Sequence, residues 1–183
     1  MNKKINSAVV GLGFGERNLK SLKKNKLSNL INFFDFNKKT NDRFKKKFKK
    51  INSSNSFKEL INKKELDLVT LATYDNFHYS MILQAIKKKL HIFVEKPLCQ
   101  TLDQLNKIKS LLKKKENKKL KFSTNMVLRA HPKFKKIFSV VNSGQLGKIY
   151  HIEGEYNYGR FHKLTKGWRG KIPLYSVVLG GGI

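Results

Sequence analysis

"VVGLGFGE", residues 9–16, carries an apolar, strand-like segment through three alternate glycines and into a charged, helical one. Residues 5–10 read as a strand and residues 16–24 as a helix, so the glycines occupy the turn between them. Gly11 and Gly13 permit a tight turn and the close approach of a pyrophosphate, which free amides at the helix N-terminus then stabilise. The pattern G-x-G-x-x-G asks for a third glycine where the chain has Glu16. Gly15, one residue earlier, is the candidate for close packing of helix on strand. A glycine cluster also makes a plain tight turn, so the surroundings decide between the two.

Those surroundings alternate strand and helix. Residues 30–34 form a second strand, and a weak third near 48–51 lies between short helices at 41–47 and 57–62. Residues 66–72 are the clearest buried strand; helix 77–88, strand 90–94, helix 102–114 and strand 120–124 follow. This βαβα succession predicts an α/β fold, a parallel sheet covered by helices on both faces, with residues 1–124 as a Rossmann dinucleotide-binding domain. Beyond residue 124 the pattern changes. Residues 131–141 form an amphipathic helix closed by "NSGQLGK", where Gly144 is a good C-cap, and 148–158 alternate like a half-buried strand. One helix and one strand cannot bury a core. Residues 125–183 therefore read as the start of an incomplete second α/β domain, and the chain as a C-terminally truncated fragment.

The 183 residues are 39% hydrophobic, below the usual globular share but far from a disordered composition. A net charge of +28 would ordinarily suggest nucleic acid. However, 35 of the 40 cations are lysine, whereas nucleic-acid sites draw on arginine for bidentate and stacking contacts. The lysines are spread through helical runs such as "FKKKFKK" and "IKKKL", as on solvated faces, and no nucleic-acid partner is expected. The single cysteine, Cys99, excludes an internal disulfide and a cysteine-based zinc site; no metal is expected, and a reducing cytoplasm suits the chain. The basic N-terminus leads into a short apolar run interrupted by Asn6, Ser7 and Gly11, neither a signal peptide nor a membrane span.

Four features fall at the carboxyl ends of strands, the edge where open parallel sheets bind ligands. Gly11 follows the first strand. Asp35, in "INFFDFNKK", ends the second, where a carboxylate accepts hydrogen bonds from ribose hydroxyls and repels a 2′-phosphate, favouring NAD. Lys38, Lys39 and Arg43 argue the other way, for NADP. Thr73 to His78 follow the strand at 66–72, and Glu95, Lys96 and Pro97 follow the strand at 90–94.

"GLGFGE", "LATYDNFH" and "HIFVEKPLCQT", in this order and spacing, resemble the Gfo/Idh/MocA family of oxidoreductases. The resemblance extends through "NMVLRAHPKFKKI", "NSGQLGKIYHIEG", "GWRGKIP" and the terminal "GGG". It implies a Rossmann domain followed by an open-sheet domain for substrate and assembly, with NAD or NADP used on sugars, inositols or nucleotide sugars. It implies Lys96 as the catalytic lysine, shielded from solvent and bonded to the reacting hydroxyl, with Glu95 and Pro97 beside the nicotinamide and a cis Lys96–Pro97 bond. Gly11, Gly13, Phe14, Gly15 and Asp35 match dinucleotide contacts, Thr73, Asn76 and His78 the loop under the cofactor, and Trp168 and Arg169 a pair near the nicotinamide end. Departures from the family pattern are Glu16 for glycine, Tyr74 for proline and Lys89 for a helix-ending glycine. The expectation is an NAD-dependent dehydrogenase, homo-oligomeric when whole, of which this fragment binds cofactor without the full active site. The rival readings are a silent dinucleotide-binding module and a basic nucleic-acid-binding protein.

Overall fold

The computed structural model describes residues 3–155 together with Asn157, Gly159, His162, Lys166 and Gly167. Contacts divide the chain into two compact units, Met1–Thr124 and Asn125–Ile183.

The first unit is a Rossmann fold. Its strands β1 (Ile5–Val10), β2 (Ser28–Phe34), β3 (Asn52–Ser53), β4 (Leu68–Leu71), β5 (His91–Val94) and β6 (Phe122–Thr124) make one parallel sheet in the order β3-β2-β1-β4-β5-β6. The crossovers carry α1 (Gly15–Lys24), α2 (Lys38–Lys47), α3 (Phe57–Ile61), α4 (Asp75–Lys87) and α5 (Leu102–Lys113). Side chains alternate across a strand, so β1 feeds two cores. Val9 joins Leu19, Phe33, Phe44 and Phe48 on the α1 and α2 face. Ala8 and Val10 join Leu60, Val69, Leu71, Ile82, Ile92 and Ile108 on the face covered by α3, α4 and α5. Each of the larger apolar side chains contributes about 1.5–3 kcal/mol by leaving water. Strand order reverses between β1 and β4, and there the sheet opens a crevice at its carboxyl edge.

The turn that enters this crevice is constrained by Gly11. Its φ is +85°, its amide donates to Phe34 O at 2.8 Å, and a Cβ would lie 2.6 Å from the Ala72 carbonyl carbon and 2.9 Å from Thr73 N. These are backbone atoms and cannot move aside. Gly15 opens α1, and a Cβ there would stand 3.1 Å from both Ala72 Cβ and Val9 Cγ1. It takes the packing role that Glu16 cannot. Lys89 adopts the left-handed conformation itself, φ 59°, and its Nζ donates to Asn117 Oδ1 at 2.7 Å.

Two expectations are corrected. The third strand lies at Asn52–Ser53 and not at 48–51, because Phe48 is committed to the helical face: it is 8% exposed and stacks on Phe44 at 5.8 Å. Residues 148–155 form no strand. Alternation specifies a strand only when a neighbour completes the ladder, and Tyr150 and Ile152 are 95% and 82% exposed.

The second unit has α6 (Val127–Ala130) and α7 (Pro132–Asn142) among its described residues, and Gly144, at φ 74°, follows the end of α7. Among the described residues no helix is long and apolar enough to cross a membrane.

The Gly11 geometry predicts that Gly11→Ala lowers unfolding free energy by about 3 kcal/mol or more, since a left-handed φ and a backbone collision add. Urea denaturation reads this directly, and an unchanged midpoint would contradict the packing.

Candidate active site

The carboxyl edge between β1 and β4 is lined by the ends of two helices. The residues before α1 and α4, Phe14 and Tyr74, lend their helices no side-chain hydrogen bond. The other three α-helices of this unit are capped: Asn37 accepts from Thr40 N, Ser56 from Glu59 N and Thr101 from Gln104 N. A helix start leaves free amides and a partial positive charge, which favours an anion. The turn before α1 is open above Gly13, where a Cβ would meet nothing within 4 Å, and Phe14 is 68% exposed.

Asp35 stands half-buried beside this turn. Its Oδ2 accepts the Leu12 amide at 2.6 Å and its Oδ1 the Asn37 amide at 2.7 Å. An ionised carboxylate has about four acceptor sites, so each oxygen can take a further donor such as a sugar hydroxyl. Asn41 steadies this arrangement from α2: its Oδ1 accepts from Asp35 N at 3.2 Å, and its Nδ2 donates to Ser54 O at 3.0 Å. Lys38, Lys39 and Arg43 are all exposed, and the Arg43 guanidinium lies over Phe44 at 5.4 Å.

The segment after β5 reaches the same edge. Glu95 N donates to Leu71 O at 2.8 Å, and Glu95 Oε1 accepts from Asn18 Nδ2 at 3.0 Å, a bond from α1. The Lys96–Pro97 bond is cis, as the family resemblance implies. His78 is fully buried, and its Nδ1 lies 2.6 Å from Pro97 O. A carbonyl only accepts, so Nδ1 carries the hydrogen, and Nε2 is left without a protein partner. Lys96 follows β5 and is exposed at the carboxyl edge of the sheet. Thr73 is half-buried, with Oγ1 near Tyr74 O at 3.5 Å and Met81 Sδ at 3.6 Å, and Asn76 is exposed in the first turn of α4. Trp168 and Arg169 lie outside the described residues.

Glu16 faces away from this chemistry. Its Oε1 lies 2.8 Å from Lys47 Nζ and 2.9 Å from Lys20 Nζ, and these two ammonium groups, Lys47 first, pull its carboxyl from 4.5 down to about 2. It ties α1 to α2. Burial pushes the Cys99 thiol up, which makes it a poor nucleophile at neutral pH. No described lysine is buried. Lys23, Lys46, Lys47, Lys49 and Lys50 gather with Phe48 around one shallow concavity, and several of them lie in the last turns of α1 and α2, where cations complement the helix dipole.

Asn18, Asn37 and Asn41 were not singled out from the sequence. Asn18 and Asn41 share a signal: Asn18 follows Gly15 by three and precedes Leu22 by four on one helical stripe, and Asn41 precedes Phe44 by three. An asparagine on an apolar stripe marks a buried polar task.

Comparison with known proteins adds an independent finding. A sequence model of an oxidoreductase family with an NAD-binding Rossmann fold matches residues 5–122. An uncharacterized oxidoreductase of Rhizobium meliloti is 25% identical over 104 residues, 57% of this chain and 30% of that protein. Myo-inositol 2-dehydrogenase from Lactobacillus plantarum superposes with a TM-score of 0.73 at 22% identity, covering 80% of this chain and 43% of that one. Scyllo-inositol dehydrogenase from Lactobacillus casei, solved with NAD(H) and scyllo-inositol bound, gives 0.74 at 21% over 80% and 43%. The chain thus spans less than half the length of each of these proteins.

Two outcomes are expected. Asp35→Asn leaves one of the Leu12 and Asn37 amides facing an amino group, and chemical denaturation should show a loss of about 1–3 kcal/mol. The depressed Glu16 pKa means that its pairing stabilises the fold above about pH 4.5 and fades as pH falls toward 2. The stability difference between the native chain and Glu16→Gln, followed by thermal unfolding, should therefore be flat at neutral pH and shrink over that acidic window.

Proposed function

Since the chain belongs to the Gfo/Idh/MocA family of oxidoreductases, with its NAD-binding Rossmann fold, we propose that the crevice between β1 and β4 holds NAD in preference to NADP. The whole protein would then oxidise or reduce a carbinol carbon of a sugar, inositol or nucleotide sugar. The observation that carries this reading is the pairing of two helix starts lacking a cap from Phe14 or Tyr74 with a preset carboxylate at Asp35. Amides at the start of α1, with the open space above Gly13, suit a pyrophosphate. Asp35 suits an unphosphorylated ribose, because a 2′-phosphate would meet a carboxylate already fixed in place by two amides. The described residues therefore fit a dinucleotide.

Bound there, nicotinamide supplies the hydride chemistry, which belongs to the cofactor. The protein's share is position and proton control. Lys96, past the end of β5, would hydrogen-bond the reacting hydroxyl and steady the charge that develops on its oxygen. Glu95 and Pro97 would border the nicotinamide. His78, with Nδ1–H donated to Pro97 O, would hold that border from beneath, and Thr73 and Asn76 would line the loop under the cofactor. Residues 125–183 would belong to a substrate and assembly domain, Trp168 and Arg169 would approach the nicotinamide end, and the assembled protein would be a homo-oligomer of a reducing cytoplasm. The inositol ligand of the Lactobacillus casei enzyme supports a polyol ring as substrate.

Fluorescence titration should show NADH binding more tightly than NADPH, with Asp35→Ala narrowing the gap. Equal or reversed preference in the native chain would overturn the assignment. Gly13→Ala meets no atom within 4 Å, so its stability should stay within about 0.5 kcal/mol of native while NADH affinity falls at least tenfold. Affinity unchanged by that methyl would place the pyrophosphate elsewhere.

A further inference from the structure

Asn18 and Glu95 stand 77 residues apart in sequence, yet Asn18 Nδ2 donates to Glu95 Oε1 at 3.0 Å. Asn18 lies near the head of α1, three residues past Gly15, so the glycine turn sets its position. Glu95 is fixed twice: its amide donates to Leu71 O at 2.8 Å, at the end of β4, and its carboxylate is held from α1. Both side chains are half-buried. Taking a carboxylate partly out of water costs free energy, and the amide of Asn18 orients this one without cancelling its charge. A lysine at position 18 would cancel it. In a chain with 40 lysines and arginines, the residue there is neutral.

Sheet order says what that charge faces. β2, β1, β4 and β5 are successive strands, so Asp35 and Glu95 end strands on opposite sides of the glycine turn. Neighbouring strands lie about 4.8 Å apart, which places the ends of β2 and β5 about 14 Å from each other. Two nucleosides on one pyrophosphate bridge such a span. With the pyrophosphate at the glycine turn and one ribose at Asp35, the other nucleoside runs toward the end of β5. In NAD its base is the nicotinamide, cationic when oxidised and neutral when reduced. Resting on the dinucleotide reading above, we propose that Glu95, with Asn18 as its positioning residue, tilts this site toward the oxidised cofactor. The carboxylate attracts the cationic ring and exerts no such pull on the neutral one. Lys96, next in the chain, repels the cation, so the balance between the two oxidation states depends on how Asn18 holds Glu95. A tilt toward NAD+ also loosens NADH once formed, which suits substrate oxidation.

The test uses the full chain, with NADH binding followed by fluorescence and NAD+ binding by competition against it. The readout is the ratio of the two affinities, which a loss of structure alone would leave unmoved because it weakens both alike. Glu95→Gln, which still accepts from Asn18 but carries no charge, should shift the ratio about tenfold toward NADH. Asn18→Leu, similar in size without the donor, should shift it the same way by about threefold, and no further when Glu95→Gln is already present. Should Asn18→Leu fail to fold, Asn18→Ser, too short to reach Glu95, gives the same readout. If Glu95→Gln leaves the ratio as native, the proposal is overturned while the dinucleotide reading stands. If the Asn18 variant leaves the ratio unmoved, or moves it equally with and without the Glu95 charge, the positioning role of Asn18 is overturned. If the native chain binds neither form, the dinucleotide reading fails, and this inference with it.

Discussion

The turn after β1 passes so close to the end of β4 that only glycine fits, and the rest of the first unit depends on that approach. At Gly11 the left-handed φ, the bond to Phe34 O and the backbone of Ala72 and Thr73 meet at one residue, so three central strands are fixed relative to one another. Four residues on, Gly15 lets α1 settle directly on Val9 and Ala72. The start of α1 is thereby held over the point where the sheet reverses order. From this position Asn18 reaches Glu95, so the helix that follows the glycine turn also braces the segment after β5.

What the turn positions, asparagines complete. Asn37 caps α2 through its side chain and gives Asp35 one of its two amides; Leu12, inside the glycine turn, gives the other. Asn41 holds the Asp35 backbone and donates to Ser54 O, just past β3. The carboxylate is therefore oriented before any ligand arrives, and binding need not reorder it. Capped helices surround two whose N-cap side chains make no such bond, and those two flank the switch point. An N-cap without a side-chain bond would be a stability cost in a purely structural fold; at this edge the open turn before α1 suits a ligand.

Much of this was legible in the sequence, because strand-then-helix periodicity and the glycine turn are local signals. The convergence of Gly11, Asp35, Thr73 to His78 and Glu95 to Pro97 on one edge followed from strand ends alone. The errors share a cause in tertiary context. Phe48 looked like a strand residue because its partner, Phe44, lies four residues back on a helix. Residues 148–155 alternate as a strand does, yet a ladder depends on a neighbour that local pattern cannot reveal. Asn18 and Asn41 were hidden because asparagine is abundant throughout the chain, so neither stood out by composition.

The central claim is that the prearranged edge between β1 and β4, and not the lysine-rich surface around Phe48, is where the chain meets its ligand. Backbone amide shifts followed by nuclear magnetic resonance during NADH addition test it residue by residue. Saturable changes at Leu12, Gly13, Gly15, Asp35, Phe36 and Thr73, with Lys46, Lys49 and Ile51 unmoved, are the predicted result. Changes centred on those lysines and absent from the glycine turn would contradict it.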